Sequence, residues 1–155
     1  MIRVSFALLA SLVVPLCAAA QQDAPAGTSV APAFGIHYGN PLRLSGAIGF
    51  LVDRNRLRDD GLIVLLEGGQ HGGELAMGYF RSLGRFGSGY SIRAVALRTT
   101  GEPWNASPHT TYAGVEAHAM LFFGLGGRMG YYRRASAATP DAKDNVETVG
   151  ISIGY

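Results

Sequence analysis

The stretch Asn145-Val146-Glu147-Thr148-Val149-Gly150-Ile151-Ser152-Ile153-Gly154-Tyr155 decides how the rest of the chain is read. From Thr148 onward Val149, Ile151, Ile153 and Tyr155 alternate with Thr148, Gly150, Ser152 and Gly154. A period of two is a β-strand's period, so this segment has one apolar face and one nearly bare face. Any sheet that takes it up must present the same two faces on its neighbours.

Moving outward, the same alternation returns seven times between turn clusters. About Ala33 to Gly39 sets Phe34, Ile36 and Tyr38 against Gly35 and His37, and Asn40-Pro41 turns the chain. About Leu42 to Val52 sets Leu44, Ile48, Phe50 and Val52 against Arg43, Ser45, Ala47 and Gly49. A charged turn (Asp53, Arg54, Arg56, Arg58, Asp59, Asp60) precedes about Gly61 to Gly69, which is apolar on both faces apart from Glu67. After a Gln70-to-Gly73 turn, about Glu74 to Gly84 places Leu75, Met77 and Tyr79 opposite Glu74, Ala76 and Gly78. About Tyr90 to Thr100 carries Arg93, and about Thr110 to Phe123 carries Glu116 and His118. Gly124 to Gly127 reads as a hairpin, and about Arg128 to Arg134 is the seventh strand. Short links between consecutive strands require antiparallel neighbours, since a parallel crossover needs a dozen residues or more. The expected fold is all-β: an eight-stranded antiparallel up-and-down barrel, whose closure removes exposed edges.

Composition agrees with one such domain. The 155 residues include 22 glycines, 48% hydrophobic and only 15% charged residues, which excludes a disordered chain. The formal charge of +2 gives no electrostatic case for nucleic acid. Lys143 is the single lysine, against twelve arginines. That bias suits a polar lumen or lipid headgroups, and equally a GC-rich genome. Residues 1–20 read as a signal peptide: Arg3, an apolar run from Phe6 to Leu16, then Ala18-Ala19-Ala20 before Gln21. That run is too short for a helical span, which takes about 20 residues. A lipoprotein leader acylated at Cys17 is the rival reading, disfavoured by Leu16 before that cysteine. Residues 21–32, rich in Ala, Pro and polar residues, read as a flexible segment, and residues 33–155 as the barrel domain.

Alternation alone does not say which face is wet. Four features favour a transmembrane barrel with its apolar face toward lipid. Small residues and the charges Arg43, Glu67, Glu74, Arg93, Glu116 and Arg128 collect on the opposite face. Strand lengths are near the 9–11 residues of a tilted membrane strand. Aromatic residues fall near strand ends: Tyr38, Trp104, Tyr112, Tyr131 and Tyr132 at one rim, Phe86, Tyr90, Phe123 and Tyr155 at the other. The leader supplies the address. In this pattern the chain from about Ala33 to Tyr155 resembles the small eight-stranded Gram-negative outer-membrane barrels, the class of the outer-membrane protein A membrane domain and the opacity-type proteins. The resemblance implies an outer-membrane location, both termini in the periplasm, and insertion by the barrel-assembly machinery. It also implies an assembly signal in Val149, Ile151, Ile153 and Tyr155. Tyr155 departs from the family's usual final Phe, and the short outer loops put a host-binding role in doubt.

The candidate chemistry lies in the lumen. His37, Arg43, Glu67, Glu74, Arg93, Glu116, His118 and Arg128 share the inner parity. They form either a titrating cluster or, the preferred reading, a buried ion-pair network that fills the barrel. No catalytic residue, metal ligand set or cofactor is assigned. Outer-membrane lipid A deacylases need a His-x-Ser-Asn run, but Ala119-Met120 follows His118; His71 and His109 are loop histidines near Glu67, Glu74 and Ser107. Arg98 and Arg133 take the lipid-facing parity near one rim, where they would meet lipopolysaccharide phosphates or reach water. The expected function is a monomeric outer-membrane barrel with a plugged polar lumen, structural or at the surface, among outer-membrane lipids. The alternatives are a lipid A-modifying enzyme, or a soluble periplasmic barrel binding a small hydrophobe.

Overall fold

The computed structural model describes residues 29–55, 60–83, 87–137 and 139–155. Eight strands, β1 Ser29–Gly39, β2 Arg43–Asn55, β3 Asp60–Gly69, β4 Gly72–Ser82, β5 Gly89–Thr99, β6 Thr111–Phe122, β7 Leu125–Ser136 and β8 Asn145–Gly154, form a closed barrel. Every pairing is antiparallel between chain neighbours, and β8 closes on β1. Each of the eight segments expected from alternation contains a strand, while Leu42, Thr100, Thr110 and Phe123, read as strand ends, fall in turns and loops.

The register fixes the shape. Stepping across paired residues from Ser29 leads through Asp53, Gly61, Phe80, Ser91, His118, Arg128 and Gly150 to Gly39. The circuit thus returns to β1 ten residues along, a stagger that tilts the strands and winds the inward residues round the axis.

Side-chain polarity is inverted relative to a water-soluble barrel. Outward positions carry Phe34, Ile36, Leu66, Leu75, Met77, Ile92, Val115, Met129, Val149, Ile151 and Ile153, all more than half exposed. Inward positions carry Glu67, Glu74, Arg93, Glu116, His118 and Arg128, each less than 5% exposed. A second inner group is apolar: Ile63, Leu65, Phe80, Val95, Leu97, Tyr112, Tyr132 and Val146 form one packed cluster. The double-sided apolar character of β3 follows, since Ile63 and Leu65 join that cluster while Leu62 and Leu66 face out.

Several boundaries differ from the sequence reading. Strand β1 starts at Ser29, so residues 29–32 of the segment read as flexible are paired with Asp53 to Phe50. Strand β7 starts at Leu125, because Gly126 and Gly127 pair with Met120 and Ala119 instead of turning. The β6–β7 turn is Phe123-Gly124, with φ of 50° and 76°. Two consecutive positive φ values match the right-handed twist of a two-residue hairpin. Gly72 and Gly73 likewise belong to β4. The signal peptide, residues 21–28, Phe86, and the turn arginines Arg54, Arg56 and Arg58 lie outside what can be said of side chains in the described residues.

Three aromatic placements are corrected. Tyr112 and Tyr132 are completely buried inside the barrel, not at a girdle. Tyr155 also turns inward: Gly154, at φ 87°, breaks the alternation of β8. A Cβ at Gly154 would lie 2.2 Å from the Phe34 carbonyl oxygen, so glycine's freedom is required there. Tyr38, Trp104 and Tyr131 at one rim and Phe123 at the other do face outward.

Candidate functional site

The site is built by register. Glu67 and Glu74 are paired across β3 and β4, Arg93 and Glu116 across β5 and β6, and His118 and Arg128 across β6 and β7. Ser45 on β2 and Ser152 on β8 flank His37 on β1. Serine and glycine neighbours leave the width that long charged side chains need to cross a narrow lumen.

Arg128 is the hub. Its Nη1 and Nη2 donate to the two carboxylate oxygens of Glu67 at 2.7 and 3.0 Å. The same Nη1 lies 3.8 Å from both Glu74 and Glu116. Glu67 also accepts from Ser45 Oγ at 2.5 Å and faces His37 Nδ1 at 2.7 Å. Glu116 accepts from Arg93 Nη2 and, at 2.8 Å, from the Tyr132 hydroxyl. Paired guanidinium and carboxylate groups are what make such burial tolerable, because an isolated ion in the interior would be far costlier. Three carboxyl groups face two guanidinium groups, so neutrality requires one further proton somewhere among the carboxyls and imidazoles. That is a condition on the network as a whole.

A histidine pair lies beside it. His37 and His118 meet edge to face with ring centroids 6.0 Å apart, and His118 Nε2 lies 2.6 Å from Ser152 Oγ. His37 Nε2 lies 3.1 Å from the backbone oxygen of Tyr155. The Tyr155 ring packs on His118 and Phe80 at 6.4 and 6.2 Å between centroids, which fills the lumen at the end where β1 begins and β8 ends. The Ser152–His118 contact has the elements of a nucleophile and a base. Both residues are 2% exposed or less, so the contact is enclosed within the barrel.

The opposite end is closed by loops. The β5–β6 connection tucks Ala106 against the inner apolar cluster, and its Trp104 amide donates to the Pro41 carbonyl at 3.1 Å. Ser107 links three elements: its carbonyl accepts from Thr99 Oγ1 at 2.6 Å, its amide donates to the Tyr112 hydroxyl at 3.1 Å, and its Oγ accepts from the Lys143 amide at 2.8 Å. Asn40 ties the β1–β2 turn to β8 through the Glu147 carbonyl and the Val149 amide, at 2.7 and 2.6 Å.

Seven of the eight lumen residues read from sequence therefore converge: His37, Glu67, Glu74, Arg93, Glu116, His118 and Arg128. Arg43 does not. It sits half-buried at the loop-bearing rim with φ 61°, its guanidinium 5.5 Å from the centre of the Trp104 ring. The twist in the backbone just after the Asn40-Pro41 turn takes its side chain toward the rim. Sequence reading missed Tyr132, Ser45, Ser152 and Tyr155 as network members. Strand parity would have found Tyr132, which lies an even number of residues from Arg128. Nothing local in the sequence marks the reversal at Tyr155.

Outside, Arg98 and Arg133 are exposed near the loop-bearing rim, as expected from parity. Arg98 Nη1 donates to Thr111 Oγ1 at 2.8 Å. The rings of His71 and His109 make no hydrogen bond to a carboxylate or serine among the described residues. Among those residues, no three His, Cys, Asp or Glu side chains stand together as a metal site. No family model, curated protein or solved structure matches this chain.

Proposed function

We propose that this chain is an outer-membrane β-barrel with a plugged polar lumen, serving a structural or surface role without catalytic turnover. The observation that carries the reading is the inverted polarity: apolar side chains outside on all eight strands, a charged network within. In water such an exterior would be a contiguous apolar surface far beyond the few hundred Å² usual on a soluble monomer. In a bilayer it is the required surface, and closure gives every strand a paired neighbour on both sides. Strands of 10–13 residues suit a tilted crossing of the hydrocarbon layer.

The plug argues against a general pore. Arg128, Glu67, Glu74, Arg93 and Glu116 fill the middle, Tyr155 one end and the β5–β6 loop the other. The outward Val149, Ile151 and Ile153 are the surface that the assembly machinery would read. Tyr155 would act by a different route, since its ring faces the lumen. Fractionation with gel analysis of unboiled and boiled samples tests the reading. A band that shifts on boiling and sediments with outer membranes is expected. A soluble band indifferent to boiling would overturn it and favour a periplasmic barrel.

A further inference from the structure

The structure points to a lipid-phosphate site on the outward face of β5–β7, and we propose that its occupant is a lipid A-type molecule held through a phosphomonoester. The inference rests on the membrane reading above. Arg98 on β5 pairs with Thr111, and Arg133 on β7 pairs with Ala113, so the two arginines flank β6 two strand spacings apart. That is on the order of 10 Å, within reach of two arginine side chains converging on one group.

Their surroundings separate them from the other basic residues of the lumen and of the loop-bearing rim. Neighbouring Arg134 is already neutralised, 2.5 Å from Asp144 and donating to the Ala142 carbonyl at 2.6 Å. Arg93 and Arg128 are spent inside. Arg133 has no ion-pair or hydrogen-bond partner among the described residues, although exposed Glu147 lies diagonally across β8. Arg98 has only Thr111, whose hydroxyl leans the guanidinium over β6. Between the arginines the outward floor is Ala96 and Ala113, small enough for a bulky headgroup to approach the sheet. A groove of about 560 Å³ beside Arg133, lined by Tyr131, Arg134, Asp144 and Asn145, gives polar sugar hydroxyls a place to bind.

Charge selects the occupant. Two guanidinium groups with no carboxylate in ion-pair contact fit a phosphomonoester, which carries about −1.5 to −2 near pH 7. A glycerophospholipid's phosphodiester carries a single charge and would leave one arginine unmatched. The planar fork of each arginine suits two phosphate oxygens at once.

The test uses the full chain inserted into phosphatidylcholine nanodiscs, with folding verified by the gel shift on boiling. Native mass spectrometry then counts added lipid A, dephosphorylated lipid A or phosphatidylglycerol. One lipid A should be retained, with Arg98→Gln/Arg133→Gln weakening it at least about tenfold. Ala113→Phe, which keeps both charges and fills the floor, should also weaken it. Equal retention of dephosphorylated lipid A or phosphatidylglycerol, or undiminished binding by the double variant, would overturn the site and leave the membrane reading intact. Failure to insert at all would overturn both.

Discussion

Replacing Arg128 by Met should be among the most damaging single changes in this barrel. The side chain is 3% exposed, makes a two-point contact with Glu67 at 2.7 and 3.0 Å, and lies 3.8 Å from Glu74 and Glu116. Met retains most of the volume, so the loss is one of charge and hydrogen bonding. It leaves three inward carboxyl groups with Arg93 as the only remaining guanidinium among them. Removing one partner of a buried pair costs about 3–5 kcal/mol, mostly the penalty of the stranded partner. Urea unfolding in detergent micelles or bilayers, followed by the gel shift of folded barrel, would read this as a midpoint lowered on the order of 1–5 M. The double variant Glu67→Gln/Arg128→Met should recover part of the loss, because the acceptor is then neutral. A coupling of about 1.5–3 kcal/mol is expected from the cycle. Arg128→Met as stable as the parent, or strictly additive single effects, would refute the idea that this pair positions the lumen.

Unfolding by urea or heat, with proteolysis for the loop, checks three further variants. Tyr132→Phe deletes the hydroxyl that donates to Glu116 at 2.8 Å inside a fully buried ring, and should cost about 1–3 kcal/mol. Glu116→Ala should lower the melting temperature by stranding Arg93, and an unchanged melt would dismiss the structural role of that carboxylate. Trp104→Ala should leave the unfolding midpoint nearly unchanged while exposing the β5–β6 loop to protease, since it removes the Tyr38 and Arg43 contacts at the rim; equal protease resistance would show that the loop is held without it.

The fold was legible because a barrel writes itself in parity. Eight period-two segments with turn signals gave eight strands, and parity alone grouped His37, Glu67, Glu74, Arg93, Glu116, His118 and Arg128 on one side. What sequence left hidden has specific physical causes. Gly126 and Gly127 carry no side chain to show parity, so a paired stretch resembled a turn. Phe123 takes a positive φ that a phenylalanine rarely adopts, so the true hairpin was not marked by its residue type. The chemistry of Tyr112 and Tyr132 suits a rim, although their parity places them inside. Which of the seven inward polar side chains meet which depends on the ten-residue stagger, a property of closure that no single segment contains.

Tyr155 shows how that closure affects function on the reading proposed here. Val149, Ile151 and Ile153 stay on the outer face, more than 60% exposed, while Gly154 swings the last ring against Phe80 and His118. Deleting Tyr155 therefore removes two things together: the aromatic end of the strand and the plug of one barrel mouth. Two substitutions separate them. Tyr155→Phe keeps the ring, and among the described residues the hydroxyl has no hydrogen-bond partner, so stability and outer-membrane level should both hold. Tyr155→Ala empties the contact with Phe80 and His118 and should cost about 1–3 kcal/mol, below the roughly 3–5 kcal/mol of a fully buried aromatic side chain because this one is only partly buried. If the ring matters as a plug, Gly154→Ala should act like Tyr155→Ala, because a methyl there meets the Phe34 carbonyl and disfavours the inward turn. Equal outer-membrane levels for Gly154→Ala and the parent, with a lowered level for Tyr155→Ala, would instead assign the residue to recognition during assembly.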